Sequence, residues 1–364
     1  MKIAILTTGF GYGGAERVAV ALANWLSSKN VNVSLISIVK SEMPNYSYDS
    51  KLNFCINEEA SNGGLKALLQ RKRYVSMKLK EIQPDIIFSM FISCTILALP
   101  YRFFSPKKKK AKLIVSERNN PYVIYNKLTK LIVKFTSYFV DGYVFQTERV
   151  KKFFPNKIVK KGTVIHNPIS NDLINDIKYI PFIKRKKIIT AVGRLSEQKD
   201  YYTMIMAFEI IAMEKPDYKL VIFGDGELKE KLISFAESLG LKDKIEFMGN
   251  KKDAIVTVSE SMCYILSSKY EGMPNSLLEA MAVGTPSVST NCDFGPAELI
   301  DDNVNGYLVE PGDAEMMANK VIKILDSEET WKKISKKSLE ILKDHSVDSC
   351  YESYYDYFNQ VLER

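Results

Sequence analysis

The chain of 364 residues is long enough for two domains, and its 46% hydrophobic and 26% charged residues are typical of a folded protein. No apolar run reaches the roughly 20 residues of a membrane-spanning helix, and the five scattered cysteines favour reduced thiols over a disulfide framework or a zinc site. The net charge is +8, but residues 1–180 carry 28 Lys and Arg against 12 Asp and Glu, whereas residues 181–364 carry 23 against 31. This asymmetry fits either two solubilising surfaces or a first half that faces an anionic membrane.

Short β-branched runs alternate with longer amphipathic segments, and this pattern predicts an α/β protein with parallel sheets. In the first half we expect strands near 2–8, 31–38, 85–89, 112–117, 141–145 and 162–166, and helices near 15–29, 66–82 and 123–138. In the second half we expect strands near 187–193, 218–224, 244–248, 262–267, 286–290 and 306–309, and helices near 200–213, 226–239, 276–283, 313–326 and 328–343. The first apolar run is followed by glycines and not by a signal-peptide cleavage site, so a cytoplasmic location is expected.

The alternation breaks in the segment 167–187, which contains two prolines and a basic cluster. We therefore predict a first domain over 1–170, a linker over 171–186 and a second domain over 187–347. A helical pattern over about 348–364 is rich in tyrosine and is expected to pack back on the first domain.

The segment 122–140 combines Lys127, Lys130 and Lys134 with apolar residues at helical spacing. A basic amphipathic helix of this kind either lies in a membrane interface or covers a sheet. The pattern alone does not choose between the two interpretations.

Four glycines lie between positions 9 and 14, after the first predicted strand and before a helix. Glycine permits a tight turn and the close approach of a ligand, and a helix N-terminus favours an anion. The spacing matches neither the dinucleotide motif G-x-G-x-x-G nor a Walker A loop. Gly13 and Gly14 are therefore candidate phosphate contacts of another kind.

A second motif follows the first strand of the second half, where Gly193 leads into Arg194 and Lys199. Two cations at the start of a helix are suited to a diphosphate leaving group. The alternative is a surface ion pair of these cations with Glu197. In a further strand-to-helix turn, Gly224 and Gly226 are expected to keep side chains out of the way of a nucleotide, and the segment that ends a third strand at Asn250 is expected to flank a base.

The most specific motif covers 270–282 and places Glu271 eight residues before Glu279. Pro274 and Asn275 predict a helix start, so one carboxylate lies in the loop and the other lies about one turn inside the helix. We expect carboxylates to bind the sugar and ribose hydroxyls, and free backbone amides to bind phosphate oxygens. The residues assigned to this site are Glu271, Gly272, Met273, Pro274, Asn275, Ser276, Leu277 and Glu279.

In this order and spacing the motifs resemble a family-four glycosyltransferase of the GT-B fold. The resemblance covers nearly the whole chain. It rests on Gly-Gly-Ala-Glu-Arg at 13–17, Val-Ile-His-Asn-Pro at 164–168, Gly-Arg-Leu at 193–195 with Lys199, Gly-Asp-Gly at 224–226, Glu271 with Glu279, and Leu-Val-Glu-Pro-Gly-Asp at 308–313. It implies two Rossmann-like domains that face a central cleft, with the nucleotide-sugar bound by the second domain.

The resemblance further implies that Arg194 and Lys199 hold the diphosphate of a UDP-sugar. Glu279 would bond the ribose, Glu271 would contact the transferred sugar, and Gly14 would approach the diphosphate from the first domain. No metal and no other cofactor is expected, because there is no clear Asp-x-Asp clamp and the two cations take that role. The implied reaction retains the configuration of the anomeric carbon.

One stretch departs from the family pattern. Many members carry a histidine near the sugar, but this chain has Glu117 and Arg118 there. Neither of its two histidines, His166 and His345, fits that position. The Glu-Arg pair resembles a subset that builds bacterial surface glycans on lipid carriers, which implies contact with the sugar or the acceptor.

The sequence thus predicts a retaining transferase that moves a hexose or N-acetylhexosamine from a UDP-sugar to a glycan acceptor, possibly linked to polyprenyl diphosphate. The product would be capsule, lipopolysaccharide or a related polymer, and the enzyme would lie peripherally on the inner face of the cell membrane. Two alternatives stay open: a UDP-sugar 2-epimerase of related fold, and a non-catalytic glycan-binding protein. Nucleic acid is not an expected partner, because the basic runs lack interleaved aromatic residues.

Overall fold

The computed structural model describes residues 1–10, 14–44, 47–58, 64–104, 110–118, 121, 125–169, 177–251 and 253–364. The chain divides into two compact units, of which the first comprises Met1–Pro168 and Asp348–Arg364 and the second comprises Ile169–Val347. No helix among the described residues combines the length and the apolar character needed to span a bilayer.

The first unit is built on seven parallel strands in the order β3-β2-β1-β4-β5-β6-β7. The strands are Lys2–Thr7 (β1), Asn32–Ser37 (β2), Asn53–Cys55 (β3), Ile86–Ser89 (β4), Lys112–Glu117 (β5), Gly142–Phe145 (β6) and Gly162–Val164 (β7). The helices are Gly14–Ser28 (α1), Gly64–Ile82 (α2), Ile92–Phe104 (α3), Lys127–Thr136 (α4), Glu148–Phe153 (α5) and Asn156–Val159 (α6).

The second unit is built on six parallel strands in the order β10-β9-β8-β11-β12-β13. The strands are Lys186–Val192 (β8), Lys219–Phe223 (β9), Ile245–Gly249 (β10), Ser261–Leu266 (β11), Ser287–Thr290 (β12) and Tyr307–Val309 (β13). The helices are Tyr201–Glu214 (α7), Lys229–Ser238 (α8), Ala254–Glu260 (α9), Asn275–Ala282 (α10), Pro296–Leu299 (α11), Ala314–Asp326 (α12) and Glu328–Ser338 (α13). The predicted α/β class with parallel sheets is confirmed.

The last helix, Val347–Glu363 (α14), packs on the first sheet. Phe88 of β4 contacts Tyr354 and Phe358, with ring centroids 5.7 and 5.2 Å apart. The indole N–H of Trp25 donates to a carboxylate oxygen of Asp348 at 3.1 Å. Buried aromatic rings therefore hold the end of the chain against its beginning.

The basic cluster that suggested a linker contains a structural arginine. Residues 171–176 of the predicted linker lie outside the described part, but Arg185 is 7% exposed and belongs to the second unit. Its guanidinium donates to Thr285 Oγ1 at 2.7 Å and to the carbonyls of Ser261 and Gly284 at 2.9 and 3.1 Å. Burial lowers its pKa to about 10. Arg185, at the end of the predicted linker, therefore has its charge satisfied inside the second unit, and the bounds of the linker stay a prediction.

The order of the second sheet creates a site-forming position. Strand β8 lies between β9 and β11, and chain order reverses there. The segments that follow β8 and β11 therefore leave the same sheet edge in opposite directions. In open parallel sheets such a switch point opens a crevice at the carboxyl ends of the strands, where ligands bind.

Candidate functional site

Two motifs singled out in the sequence meet at this switch point. Lys199 lies in the short 3₁₀ turn Glu197–Lys199 after β8, and Glu271 lies in the loop between β11 and α10. Lys199 Nζ is 2.6 Å from Glu271 Oε1, and the two side chains are only 16% and 7% exposed. Glu197 instead lies 3.5 Å from the ammonium of Lys269. The alternative of a surface ion pair between Lys199 and Glu197 is therefore wrong.

Two hydroxyl groups that sequence reasoning missed position Glu271. Ser268 Oγ donates to Glu271 Oε1 at 2.6 Å, and Thr290 Oγ1 at the end of β12 donates to the Ser268 carbonyl at 2.6 Å. Both hydroxyl side chains are fully buried. A buried hydroxyl group needs a hydrogen-bond partner. Small polar residues at or just beyond the ends of apolar strands were therefore the signal in the sequence that could have pointed to these two residues.

The two loops that carry the ion pair are also joined through their backbones. Gln198 donates through its side chain to the Tyr270 carbonyl at 2.9 Å, and its own carbonyl accepts from the Lys269 amide at 2.8 Å. Ser267 Oγ donates to the Lys199 carbonyl at 2.8 Å. These bonds fix the distance between the cation and the carboxylate before any ligand binds.

Gly224 lies where the backbones of two neighbouring loops approach closely. Its φ is +133°, and a Cβ added to it would lie 1.9 Å from the Gly193 carbonyl oxygen. The backbone of the neighbouring loop thus fills the space on the Cβ side of Gly224. A direct contact of Gly224 with a nucleotide stays a prediction; the visible function is close packing of two strand ends.

Helix α10 begins at Asn275 as predicted, and Pro274 precedes it. Leu277 N–H donates to the Pro274 carbonyl at 3.1 Å. The expectation of a free amide at Leu277 was therefore wrong, because the first turn closes early. The side chains of Met273 and Leu277 are buried in the apolar core, so Met273 would reach a ligand only through its backbone.

Tyr264 of β11 is bonded to the start of α10. Its hydroxyl donates to Ser276 Oγ at 2.8 Å. Burial raises the pKa of Tyr264, and the carboxylates of Glu271 and Glu279 raise it further. Glu279 lies on the partly exposed face of α10.

Arg194 and Asn250 occupy the exposed surface of the second unit, after β8 and β10 respectively. Arg194 has no ion pair with any residue in the described part of the chain. It is therefore available to an anion, whereas Lys199 must exchange Glu271 for one. Gly272 packs closely against Gly295. A Cβ added to Gly295 would lie 2.3 Å from the carbonyl oxygen of Gly272.

The candidate residues of the first unit lie at its own strand ends. Gly14 begins α1, and Gly13 lies outside the described residues. Glu117 and Arg118 at the end of β5 are 4% and 7% exposed, and the Tyr125 hydroxyl donates to Glu117. The expected contact of Glu117 and Arg118 with the sugar or the acceptor stays a prediction.

Arg118 makes two bonds inside the first unit. It donates to Asn167 Oδ1 at 3.1 Å and to the Tyr354 hydroxyl at 2.9 Å. It thus links β5 to α14 and to Asn167, which lies near the end of the segment Met1–Pro168. His166 Nδ1 lies 2.9 Å from the Gln146 carbonyl, which is a structural contact.

The titratable residues show no clear metal centre. Within the described ranges, no three His, Cys, Asp or Glu side chains are grouped so as to hold a metal ion. All five cysteines lie in the described part of the chain, where they are buried and form no disulfide.

Comparison with known proteins identifies the class of this site. The model of the family described as Glycosyl transferases group 1 matches residues 174–340, which include the Lys199–Glu271 pair. The chain is a glycosyltransferase. It is 26% identical over 367 residues to the Amylovoran biosynthesis glycosyltransferase AmsD of Erwinia amylovora, covering 98% of this chain and 99% of the relative.

A Campylobacter jejuni relative is 25% identical to this glycosyltransferase over 352 residues, with 95% of each chain covered. Its name is GalNAc-alpha-(1->4)-GalNAc-alpha-(1->3)-diNAcBac-PP-undecaprenol alpha-1,4-N-acetyl-D-galactosaminyltransferase. Among solved structures, Anabaena Alr3699/HepE in complex with UDP-glucose has a TM-score of 0.80 at 18% identity, covering 99% of this chain and 100% of that one. The structural likeness confirms the predicted GT-B fold.

Proposed function

We propose that this glycosyltransferase moves a hexose or N-acetylhexosamine from a UDP-sugar to a glycan acceptor and retains the anomeric configuration. The observation that carries the proposal is the Lys199–Glu271 pair at the switch point, 2.6 Å apart and nearly excluded from water. A diphosphate arriving there would draw the ammonium toward itself. Glu271 would then be available to accept hydrogen bonds from sugar hydroxyls.

The chemistry follows from these charges. Departure of UDP develops negative charge on the diphosphate, and Lys199 and Arg194 would stabilise that charge without a metal. Glu271 would face the positive charge that develops on the sugar ring. The acceptor hydroxyl would attack from the face that UDP leaves, and its proton would pass to the departing phosphate oxygen. Glu279 would bind the ribose from α10.

The acceptor that we propose is a polyprenyl-diphosphate-linked glycan of a cell-surface polysaccharide, met at the inner face of the cell membrane. The name of the Campylobacter jejuni relative supports this proposal, because it describes an acceptor glycan linked to PP-undecaprenol. The excess of basic residues in the first 180 positions also supports it, because a diphosphate and a bilayer surface are both anionic.

The test is a UDP-release assay with UDP-glucose, UDP-galactose, UDP-GlcNAc and UDP-GalNAc, with and without a polyprenyl-diphosphate-linked glycan. We expect acceptor-dependent release from one donor and an α-linkage in the product by NMR. Glu271→Gln should lower kcat by at least about a hundredfold, whereas the exposed Glu197→Gln control should keep it. Full activity of Glu271→Gln would contradict the site assignment.

Two outcomes would favour the alternatives. Conversion of the donor sugar to its C2 epimer with no acceptor present would indicate a 2-epimerase. Tight glycan binding with no UDP release under any condition would indicate a non-catalytic protein.

A further inference from the structure

Helix α4 of the first unit and the turn that follows it present an exposed apolar stripe. Leu131, Phe135 and Tyr138 recur at helical spacing and are 63%, 58% and 61% exposed. Val133 of the same helix is buried within the first unit. A helix that only covered a sheet would place large apolar side chains inward, so the stripe is unexplained by the fold.

Helix α3 extends the same apolar surface. The ring of Phe139 lies 4.6 Å from Phe103 and 5.3 Å from Phe135, measured between centroids. Phe104 at the end of α3 is 86% exposed. Two helices therefore contribute to one continuous aromatic surface, and contiguous exposed apolar patches mark binding sites.

Positive charge is concentrated in the part of the sequence that forms this surface. Residues 102–161 contain 16 Lys and Arg against three Asp and Glu. Lys127, Lys130 and Lys134 lie on α4 without an ion pair to any residue that the structure describes. The Lys157 ammonium lies 3.3 Å from the centroid of the Tyr138 ring. The acidic residues cannot neutralise this charge: Asp141 pairs with Arg102 at 2.7 Å, for example.

We name this surface the docking face; it consists of Phe103, Phe104, Lys127, Lys130, Leu131, Lys134, Phe135 and Tyr138. We propose that the docking face binds the anionic surface of a lipid bilayer. Lysines attract the chain to acidic headgroups, and the aromatic and leucine side chains enter the boundary between headgroups and acyl chains.

The combination of residues favours a bilayer over other polyanions. A soluble anionic polymer would use the lysines but would give no apolar medium to Leu131 and Phe104. The bilayer satisfies both, since long lysine side chains can reach the headgroups beside inserted rings. The proposal deepens the proposed function, because it rests on a membrane-held acceptor and names the surface that meets that membrane.

The experiment measures vesicle flotation of the full chain without donor or acceptor. Vesicles contain phosphatidylcholine alone or an equal mixture with phosphatidylglycerol. We expect binding to the anionic vesicles only, and weakening by salt. Lys127→Gln/Lys134→Gln should bind about 30-fold more weakly, and Leu131→Ser/Phe135→Ser about tenfold more weakly or worse.

Matched controls come from the second unit. Met213→Ser removes a side chain that is 76% exposed, and Lys333→Gln/Lys336→Gln removes two exposed charges from α13. Both controls should bind like the unchanged chain. Thermal unfolding of each variant checks that the fold is intact, which exposed substitutions are expected to leave so.

Three results would overturn the proposal: equal binding of all variants, equal binding to both vesicles, or complete competition by a soluble anionic polysaccharide. UDP release with a water-soluble glycan acceptor is measured alongside. Failure of the unchanged chain to bind either vesicle, with normal UDP release, refutes only the docking face, whereas vesicle binding without release from any donor refutes only the proposed function.

Discussion

Replacing Lys199 by Met is expected to destabilise the second unit by about 3 kcal/mol. The change removes the cation from the Glu271 carboxylate, whose side chain is only 7% exposed. Removing one partner of a buried ion pair costs about 3–5 kcal/mol, because the other charge stays buried and uncompensated. We take the lower end of this range because Ser268 Oγ still donates to that carboxylate at 2.6 Å.

The double variant Lys199→Met/Glu271→Gln separates stability from function. With neither charge present, no ion is left alone, so we expect most of the lost stability to return, to within about 1 kcal/mol. Transfer activity should be absent in the double variant and in both single variants, since the proposed chemistry needs both charges. Stability would thus recover in the double variant while activity would not.

The chain offers a direct assay for this cycle. It has two tryptophans, Trp25 in the first unit and Trp331 fully buried in the second. In a Trp25→Phe background, fluorescence during urea unfolding reports the second unit alone. Lys269→Met is the control, because that lysine is 49% exposed in its pair with Glu197 and should matter by less than about 1 kcal/mol.

The reasoning fails if Lys199→Met and the unchanged chain unfold at the same urea concentration. It also fails if the double variant is no more stable than Lys199→Met. The first result would mean that the Lys199–Glu271 pair does not contribute to the free energy of unfolding of the second unit. The second would mean that the methylene stem of Lys199, and not its charge, holds the loop.

Three further outcomes are expected. Ser268→Ala should lower kcat about tenfold by releasing one oxygen of Glu271, as steady-state UDP release would show; an unchanged rate would exclude a positioning role. Gly224→Ala should destabilise the second unit by more than about 3 kcal/mol, since its Cβ would lie 1.9 Å from a carbonyl oxygen. The control Gly240→Ala, at φ +72° in open space, should cost about 1–2 kcal/mol in the same urea titration. Thiol reagents at pH 8 should label the native chain slowly and all five cysteines after unfolding, because burial and the Glu271 carboxylate raise the pKa of Cys292 to about 12 and thus keep the unreactive thiol form; rapid native labelling would contradict this.

Periodicity predicted the parallel α/β architecture because most strands and helices have one-sided or continuous apolar patterns. Helix α3 escaped prediction for a physical reason. It is apolar on most sides, with Leu97, Ala98 and Leu99 all buried, and it contains Pro100. A helix without a polar face shows no period of 3.6 residues, and an internal proline opposes the helical interpretation.

Charged residues were placed less well than apolar ones. Arg185 stands in a basic run at the end of the predicted linker, yet it is buried with several carbonyl acceptors. Arg118 is likewise buried, with partners 49 and 236 positions away in the chain. Whether a cation is solvated depends on such distant acceptors, and no local pattern records them.

The candidate site itself follows from strand order more than from any single motif. Lys199 and Glu271 are 72 positions apart, and their motifs gave no distance between them. They meet because β8 and β11 are adjacent and parallel, which places both following loops at one sheet edge. A chain with the same motifs but with β11 paired elsewhere would hold neither the 2.6 Å contact nor the Ser268 and Thr290 support that depends on β12 lying next to β11. The motifs supply the chemical groups, and the topology makes them a site.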